Sequence, residues 1–266
     1  MKTKNILILI FNSLFLLSCV SNTATIPQIN KIILPAISPT LHAVILADID
    51  DNKIGESTKV DFKNINNLVQ DIAINTGMIL AKHSVIGNNL NNLNVRTIIN
   101  NLPVKRNDAV IFYYAGHGKN PQTGTQWPSM ILKDKNLEFN FVVSKLKQKN
   151  PRFFLAIADT CNDFPNYRSY PMTNKSSFLT FKRQNYQNLF LKTRGYIVAS
   201  GAEPGQLSWS DSNSGGLFTS QFLSSLNRQV SSSRQANWHT IMKSATATFK
   251  LPKDVIQQPQ YQIKIN

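Results

Sequence analysis

Residues 108–118 read DAVIFYYAGHG, and residues 153–162 read FFLAIADTCN. Each stretch begins with an apolar, partly β-branched run, typical of a strand buried in a parallel sheet, and ends abruptly in polar residues. Between the two, residues 139–149 show helical spacing of apolar side chains and stop before a proline. A strand, a helix and a second strand form a right-handed crossover, which makes the two strands neighbours or nearly so. His117 and Cys161, each three residues beyond its apolar run, are therefore expected at the same edge of one sheet.

The alternation of strands and helices continues on both sides of this unit. Further apolar segments predict strands at residues 42–47, 78–85, 195–200 and 261–265. Apolar residues at helical spacing predict helices at residues 61–76, with Asp61 as the N-cap, and at residues 95–102, 218–226 and 238–249. Residues 163–188 are polar and basic and predict a long surface loop. The pattern is typical of an α/β fold, a three-layer sandwich with a mainly parallel six-stranded sheet and helices on both faces.

The first 40 residues predict an exported, membrane-attached protein. Residues 1–18 combine a basic head with an apolar run that is too short to span a bilayer and is typical of a signal peptide. The run ends in LLSC, which resembles the bacterial lipobox, so Cys19 is expected to carry lipid after cleavage. The alternative is an ordinary signal peptide in which Cys19 falls at this place by chance. Residues 19–40, rich in Ser, Thr, Asn and Pro, predict a tether, and residues 41–266 the α/β domain.

The basic balance of the chain limits its partners. Lys plus Arg number 29 against 14 Asp plus Glu, a formal net charge of +15, which suits nucleic acid or an anionic surface. No basic-aromatic motif accompanies this charge, and the chain has an export signal, so no nucleic-acid partner is expected. Anionic lipid head groups or polymers of the cell envelope suit the surface better. Val20 after Cys19 favours attachment to the outer membrane, if the host has one.

Cys161 is the residue that most needs an explanation. The chain has 2 cysteines, so a lipidated Cys19 leaves Cys161 without an internal partner in a compartment that oxidises thiols. Such a cysteine is either a reactive group or a small buried hydrophobe. Beside His117 it could act as a nucleophile, because an imidazole takes the thiol proton and later protonates the leaving amine. The backbone N–H groups of Gly118 and Cys161 are the candidates for an oxyanion hole.

Other kinds of site lack their sequence patterns. The cysteines and histidines have no zinc spacing, and the chain has neither a Gly-rich phosphate loop nor a Gly-x-Ser-x-Gly elbow. His42, His83 and His239 are expected to be structural or surface residues. No metal or cofactor is predicted.

The motifs resemble those of the caspase and metacaspase superfamily. YYAGHG at residues 113–118 is similar to the family's His-Gly motif, and DTCN at residues 159–162 to the metacaspase Asp-Ser-Cys-His segment. The histidine and the cysteine are 44 residues apart, against roughly 50 in caspases. GLFT at residues 216–219 resembles the family's Gly-x-Phe-Thr helix start, and QPQ at residues 258–260 the metacaspase Thr-Pro-Gln ending. The resemblance runs in order through residues 42–262.

The resemblance implies a cysteine endopeptidase with His117 as general base and acid and Cys161 as nucleophile. Asp159, two residues before the cysteine, matches the metacaspase acid that binds a basic residue preceding the cleaved bond. The residues support this independently, because Asp48, Asp51 and other acids gather at the predicted edge of a basic protein. The alternative is that they are ordinary loop and turn acids. We expect peptide or protein substrates, cleaved after Arg or Lys.

The loop at residues 205–210 departs from the family pattern. GQLSWS stands where metacaspases usually carry Asp-Gln-Thr-Ser-Ala-Asp, and Asp211 comes only after the end of the run. Ser208 keeps the serine of this run and is a further candidate for substrate binding. Calcium activation, common in metacaspases, therefore has no support in this sequence. The altered loop leaves an alternative function, a catalytically weak pseudoenzyme that serves the envelope as a binding or scaffold module.

Overall fold

The computed structural model describes residues 38–163 and 181–266. At its centre is a six-stranded sheet made of β1 (Thr40–Ala47), β2 (Ile79–Ile86), β3 (Ala109–Ala115), β4 (Phe153–Asp159), β5 (Gly195–Ser200) and β6 (Gln260–Ile265). The strands lie in the order β6-β5-β4-β3-β1-β2. Strands β1 to β5 pair in parallel, and β6 runs antiparallel to β5. The six predicted strands are confirmed, with small differences at their ends.

Helices cover both faces of the sheet. The longer ones in the described residues are α1 (Gly55–Thr76), α2 (Asn92–Asn101), α3 (Phe139–Lys149), α4 (Leu217–Ser231) and α5 (Trp238–Ala245). Successive side chains of a strand point to opposite faces, so β1 places Ile45 in one hydrophobic core and Leu46 in the other. Helices α1, α4 and α5 pack into the first core, and α2 and α3 into the second. The predicted three-layer α/β sandwich is confirmed.

The crossover from β3 through α3 to β4 has the predicted form. The two strands pair in parallel, from Ala109 opposite Phe153 to Ala115 opposite Asp159. Both are buried along their whole length, so side chains packed on both faces hold their register. The residues that follow β3 and β4 therefore emerge next to each other at one edge of the sheet.

Several predictions from the sequence are wrong in part. Helix α1 begins at Gly55, so Asp61 is not an N-cap but a buried residue inside the helix. The first residues of α1 include few apolar side chains, and the apolar spacing therefore did not reveal them. In the described part of the predicted loop at residues 163–188, a short helix at Arg183–Tyr186 continues as a π-helix at Gln187–Lys192.

Short antiparallel strands form small sheets that are separate from the central sheet. Gly118–Lys119, directly after His117, pairs with Ser129–Ile131, which pairs in turn with Asn136–Glu138. Ser210–Asp211 forms a hairpin with Gly215–Gly216. Phe249–Lys250, expected at the end of a longer last helix, instead pairs with Ile256–Gln257. Strands of two or three residues have no measurable hydrophobic period, which is why the sequence did not predict them.

The N-terminal predictions lie almost entirely outside the described residues. The predicted signal peptide, Cys19 and most of the predicted tether fall in residues 1–37, so these assignments stay predictions. Within residues 38–163 and 181–266, no helix is both long and apolar enough to cross a bilayer.

Candidate active site

A cavity of about 350 Å³ opens at the carboxyl ends of β3 and β4. Residues 115–117 after β3 and 159–161 after β4 form one wall, at the edge where an α/β sheet is expected to place its site. The first turns of α1 and the loop at residues 207–210 close other sides. His117 and Cys161 therefore line one cavity, while their catalytic roles stay predictions.

The thiol of Cys161 is covered and protonated. The side chain is only 8% exposed. Its S–H donates to the carbonyl oxygen of Ser208 at 3.6 Å, and the N–H of Ser208 donates to Sγ at 3.4 Å. Burial raises the pKa of the Cys161 thiol to about 11, and the negative charges of Asp159 and Asp163 act in the same direction. The thiol therefore needs a base before it can attack a substrate.

The loop at residues 205–210 is attached on both sides of the thiol. Asn162 pairs with this loop through both of its backbone groups, the N–H donating at 2.9 Å and the carbonyl oxygen accepting at 2.8 Å. The side chain of Gln257 donates to Oγ of Ser208 at 3.0 Å and accepts the N–H of Trp209 at 2.9 Å. These bonds hold Ser208 against the sulfur.

His117 is held through its backbone and through its ring. The hydroxyl of Tyr114 and the N–H of Ile131 both donate to the carbonyl oxygen of His117, at 2.7 and 2.9 Å. In the ring, Nε2 lies 3.1 Å from Oδ2 of Asp51. A carboxylate from the loop after β1 thus sets the orientation of the imidazole.

Gly118 lies directly against the backbone of Thr160 and Cys161. A Cβ atom at this position would be 2.6 Å from the carbonyl oxygen of Cys161 and would also clash with the hydroxyl of Thr160. Only glycine allows so close an approach. The contact brings the chain after His117 next to Cys161, as the predicted oxyanion hole requires.

Two buried carboxyls, Asp159 and Asp61, line the cavity. Asp159 accepts hydrogen bonds from Oγ of Ser208 at 2.7 Å and from the N–H and Oγ1 of Thr219 at 2.9 and 2.7 Å. Asp61 accepts the N–H of Gly216 with both oxygens, at 3.1 and 3.0 Å. Burial raises the pKa of each carboxyl, and the charge of Asp159 raises that of Asp61 further. A cation bound beside both carboxyls would favour the ionised form of each.

Asp61 was not among the site residues predicted from the sequence. It occupies the face of α1 that carries Ile65, Leu68 and Ile72 into the core. An ionisable side chain on the buried face of an amphipathic helix is costly unless it has partners or a function. An acid at a core position of a predicted helix is the sequence feature by which Asp61 could have been predicted.

The residues predicted to bind substrate separate into two groups. Asp159 and Ser208 line the cavity, whereas Asp48 and Asp51 do not belong to its lining. Asp48 is buried and its Oδ1 lies 2.6 Å from Nζ of Lys133, and Asp51 faces the imidazole described above. Within residues 38–163 and 181–266, no three His, Cys, Asp or Glu side chains are grouped to hold a metal ion.

Comparisons with solved structures agree with this fold. The protein resembles the crystal structure of protein GSU0716 from Geobacter sulfurreducens, with a TM-score of 0.55 and 15% identity over 84% of this chain and 93% of that chain. It also resembles caspase-1 from Spodoptera frugiperda, with a TM-score of 0.55 and 14% identity over 84% of this chain and 88% of that chain. No curated protein matches the sequence.

A family model gives the stronger result, since identities near 15% show only a shared fold. The model described as the caspase domain matches residues 50–265. This range includes the His-Gly segment, the cysteine segment and the last strand. The chain therefore belongs to the caspase domain family, a family of cysteine peptidases.

Proposed function

We propose that the protein is an exported, lipid-anchored cysteine endopeptidase that cleaves peptide bonds after Arg or Lys. The observation that carries the proposal is a single cavity lined by His117, Cys161 and two buried carboxyls, Asp159 and Asp61. Such a peptidase needs a thiol, a base and acids that bind the basic side chain of the substrate. We call Asp159 and Asp61 together the acidic floor. Peptides or proteins are the substrates that membership of the caspase domain family implies.

In the proposed reaction, His117 takes the thiol proton of Cys161 and the sulfur attacks the carbonyl carbon of the substrate. The N–H groups of Gly118 and Cys161 bind the oxyanion of the tetrahedral intermediate. Collapse of the intermediate breaks the C–N bond as His117 protonates the leaving amine. Water, activated by the same imidazole, then hydrolyses the thioester.

The acidic floor supports the preference for a basic residue before the cleaved bond. The cavity volume of about 350 Å³ suits one long side chain. A guanidinium or ammonium at the floor would compensate the buried charges of Asp159 and Asp61, whereas a carboxylate would be repelled. Ser208, bonded to Asp159 at 2.7 Å, would hold that carboxylate in place.

A panel of fluorogenic peptides tests the class and the specificity together. We expect hydrolysis after Arg and Lys in reducing buffer, and kcat/KM about 100-fold lower after citrulline, which has the shape of arginine without its charge. Peptides with Asp at the same position should not be cleaved. Cleavage after Asp alone would refute the acidic pocket. No cleavage of any peptide, with or without added calcium, would instead support the pseudoenzyme.

The proposed lipid anchor is tested separately, because it depends on Cys19 and not on the cavity. Cys19→Ala should release the protein from the membrane fraction and abolish incorporation of a labelled fatty acid. Cys161→Ala is the matched control, since it removes the other cysteine and should keep both properties. Unchanged fractionation of the Cys19→Ala variant would show that residues 1–19 are not a lipoprotein signal.

A further inference from the structure

The contact between Asp51 and His117 is not explained by the acidic floor, because Asp51 lies outside the cavity lining. Asp51 belongs to the loop between β1 and α1 and is 20% exposed. Its Oδ1 accepts the N–H groups of Lys53 at 2.8 Å and Ile54 at 3.0 Å. Its Oδ2 lies 3.1 Å from Nε2 of His117. The loop backbone thus fixes one carboxylate oxygen and directs the other at the imidazole.

The protonation state of this pair follows from its hydrogen bonds. Burial alone would raise the pKa of Asp51, but the N–H groups of Lys53 and Ile54, together with His117, outweigh burial and lower it. Asp51 is therefore ionised at neutral pH and can only accept hydrogen bonds. When Nε2 of His117 donates to this carboxylate, Nδ1 is the ring nitrogen that can accept a proton from another group. A base of this kind is what the protonated, buried thiol of Cys161 requires.

The surrounding charges leave this contact intact. Lys133 forms its ion pair with Asp48 at 2.6 Å and attracts Asp50 and Asp51 only through longer-range charge interactions. The acids of the loop are therefore partly neutralised by Lys133, while the carboxylate oxygen of Asp51 stays directed at His117.

We propose that Asp51 is a positioning residue that completes a Cys161–His117–Asp51 triad, an inference that rests on the proposed function. Nδ1 of His117 takes the thiol proton, the sulfur forms a bond to the carbonyl carbon, and the C=O electron pair moves onto the oxygen. When the C–N bond breaks, the same proton passes from Nδ1 to the leaving amine. Asp51 stays ionised, keeps the ring in its tautomer and stabilises the imidazolium between the two transfers.

This role differs from the substrate-binding role that the sequence predicted for Asp51, and kinetics separate the two. In the full chain, Asp51→Asn keeps the shape and removes the charge. We expect kcat for the best Arg or Lys peptide to fall by about 100-fold or more, with KM changed by less than about threefold. Asp51→Glu should recover part of kcat. Glu56→Gln, an exposed carboxylate in the first turn of α1 that pairs with Lys59, is the control and should keep kcat.

A second measurement needs no peptide substrate. Alkylation of Cys161 by iodoacetamide, followed by mass spectrometry of its own peptide, reports how readily His117 takes the thiol proton at pH 7. Asp51→Asn and His117→Gln should slow it to a similar extent, with unchanged melting temperatures, and Glu56→Gln should not.

The outcomes distinguish this inference from the proposed function. If no peptide of the panel is cleaved but alkylation slows in both Asp51→Asn and His117→Gln, the proposed function is wrong and the triad is supported. If peptides are cleaved and Asp51→Asn raises KM while kcat and alkylation stay unchanged, Asp51 binds substrate and the triad is wrong. Equal alkylation rates in the wild type and Asp51→Asn would also overturn it.

Discussion

Cys161→Ala is expected to abolish peptide hydrolysis, with kcat/KM for the best Arg or Lys peptide reduced by about 10⁴-fold or more. Alanine removes the only atom that can form the thioester, and nothing else in the cavity replaces it. His117→Gln should have a comparable effect, because the thiol, whose pKa burial raises to about 11, stays protonated without a base. Initial rates with the fluorogenic peptide, measured against enzyme concentration, give both values.

Two controls separate lost chemistry from lost folding. The double variant, Cys161→Ala with His117→Gln, should be no less active than either single variant. The effects of substituting residues that act as a unit are not additive. Thermal melting should be nearly unchanged in Cys161→Ala, since the sulfur of Cys161 makes two weak hydrogen bonds within the described residues, both to Ser208. Hydrolysis by a folded Cys161→Ala variant at more than about one hundredth of the wild-type rate would contradict the assigned nucleophile.

Asp159→Asn is expected to remove the preference for basic side chains. The loss of a charge opposite a buried cation costs about 3 kcal/mol, so kcat/KM for Arg peptides should fall by about 100-fold. The same value for citrulline peptides should change little. Asp61→Asn should act in the same direction and leaves the hydrogen bonds of Asp159 intact. Asp71→Asn, which removes a charge elsewhere on α1, is the control. Equal losses with Arg and citrulline would show a structural role.

The acid pair also predicts how substrate binding depends on pH. Burial raises the pKa of Asp159 and Asp61, and their mutual repulsion raises that of Asp61 further. Below the raised pKa the free protein holds a proton that a bound guanidinium would displace. KM for Arg peptides should therefore fall as pH rises through that range, and Asp61→Asn should weaken the dependence. A KM that rises with pH would contradict the pairing.

The strands and the site edge were predictable because each depends on residues close together in the sequence. The apolar runs of β3 and β4 are buried on both faces, which leaves a continuous signal of β-branched and aromatic residues. The handedness of the crossover then places the ends of both strands together. Sequence spacing alone was therefore enough to bring residues 117 and 161 to one edge.

The partners of the acids could not be predicted in the same way. Asp61 meets the N–H of Gly216, 155 residues away in the chain, and no local pattern encodes that contact. The three acids after β1 look alike in sequence, yet Asp48 pairs with Lys133 and Asp51 with His117. Which acid meets which base depends on the turn at residues 51–54, where Oδ1 of Asp51 binds two backbone N–H groups. Such turns are decided by the packed structure.

The loop at residues 205–210 occupies both backbone groups of Asn162. Any peptide that bound through these groups would have to displace the loop first. The apparent dissociation constant is the intrinsic one divided by the fraction of molecules in which the loop is displaced, so an open fraction of about 1% weakens binding about 100-fold. A partner or substrate segment that favours the displaced loop would act as an activator without touching Cys161 or His117.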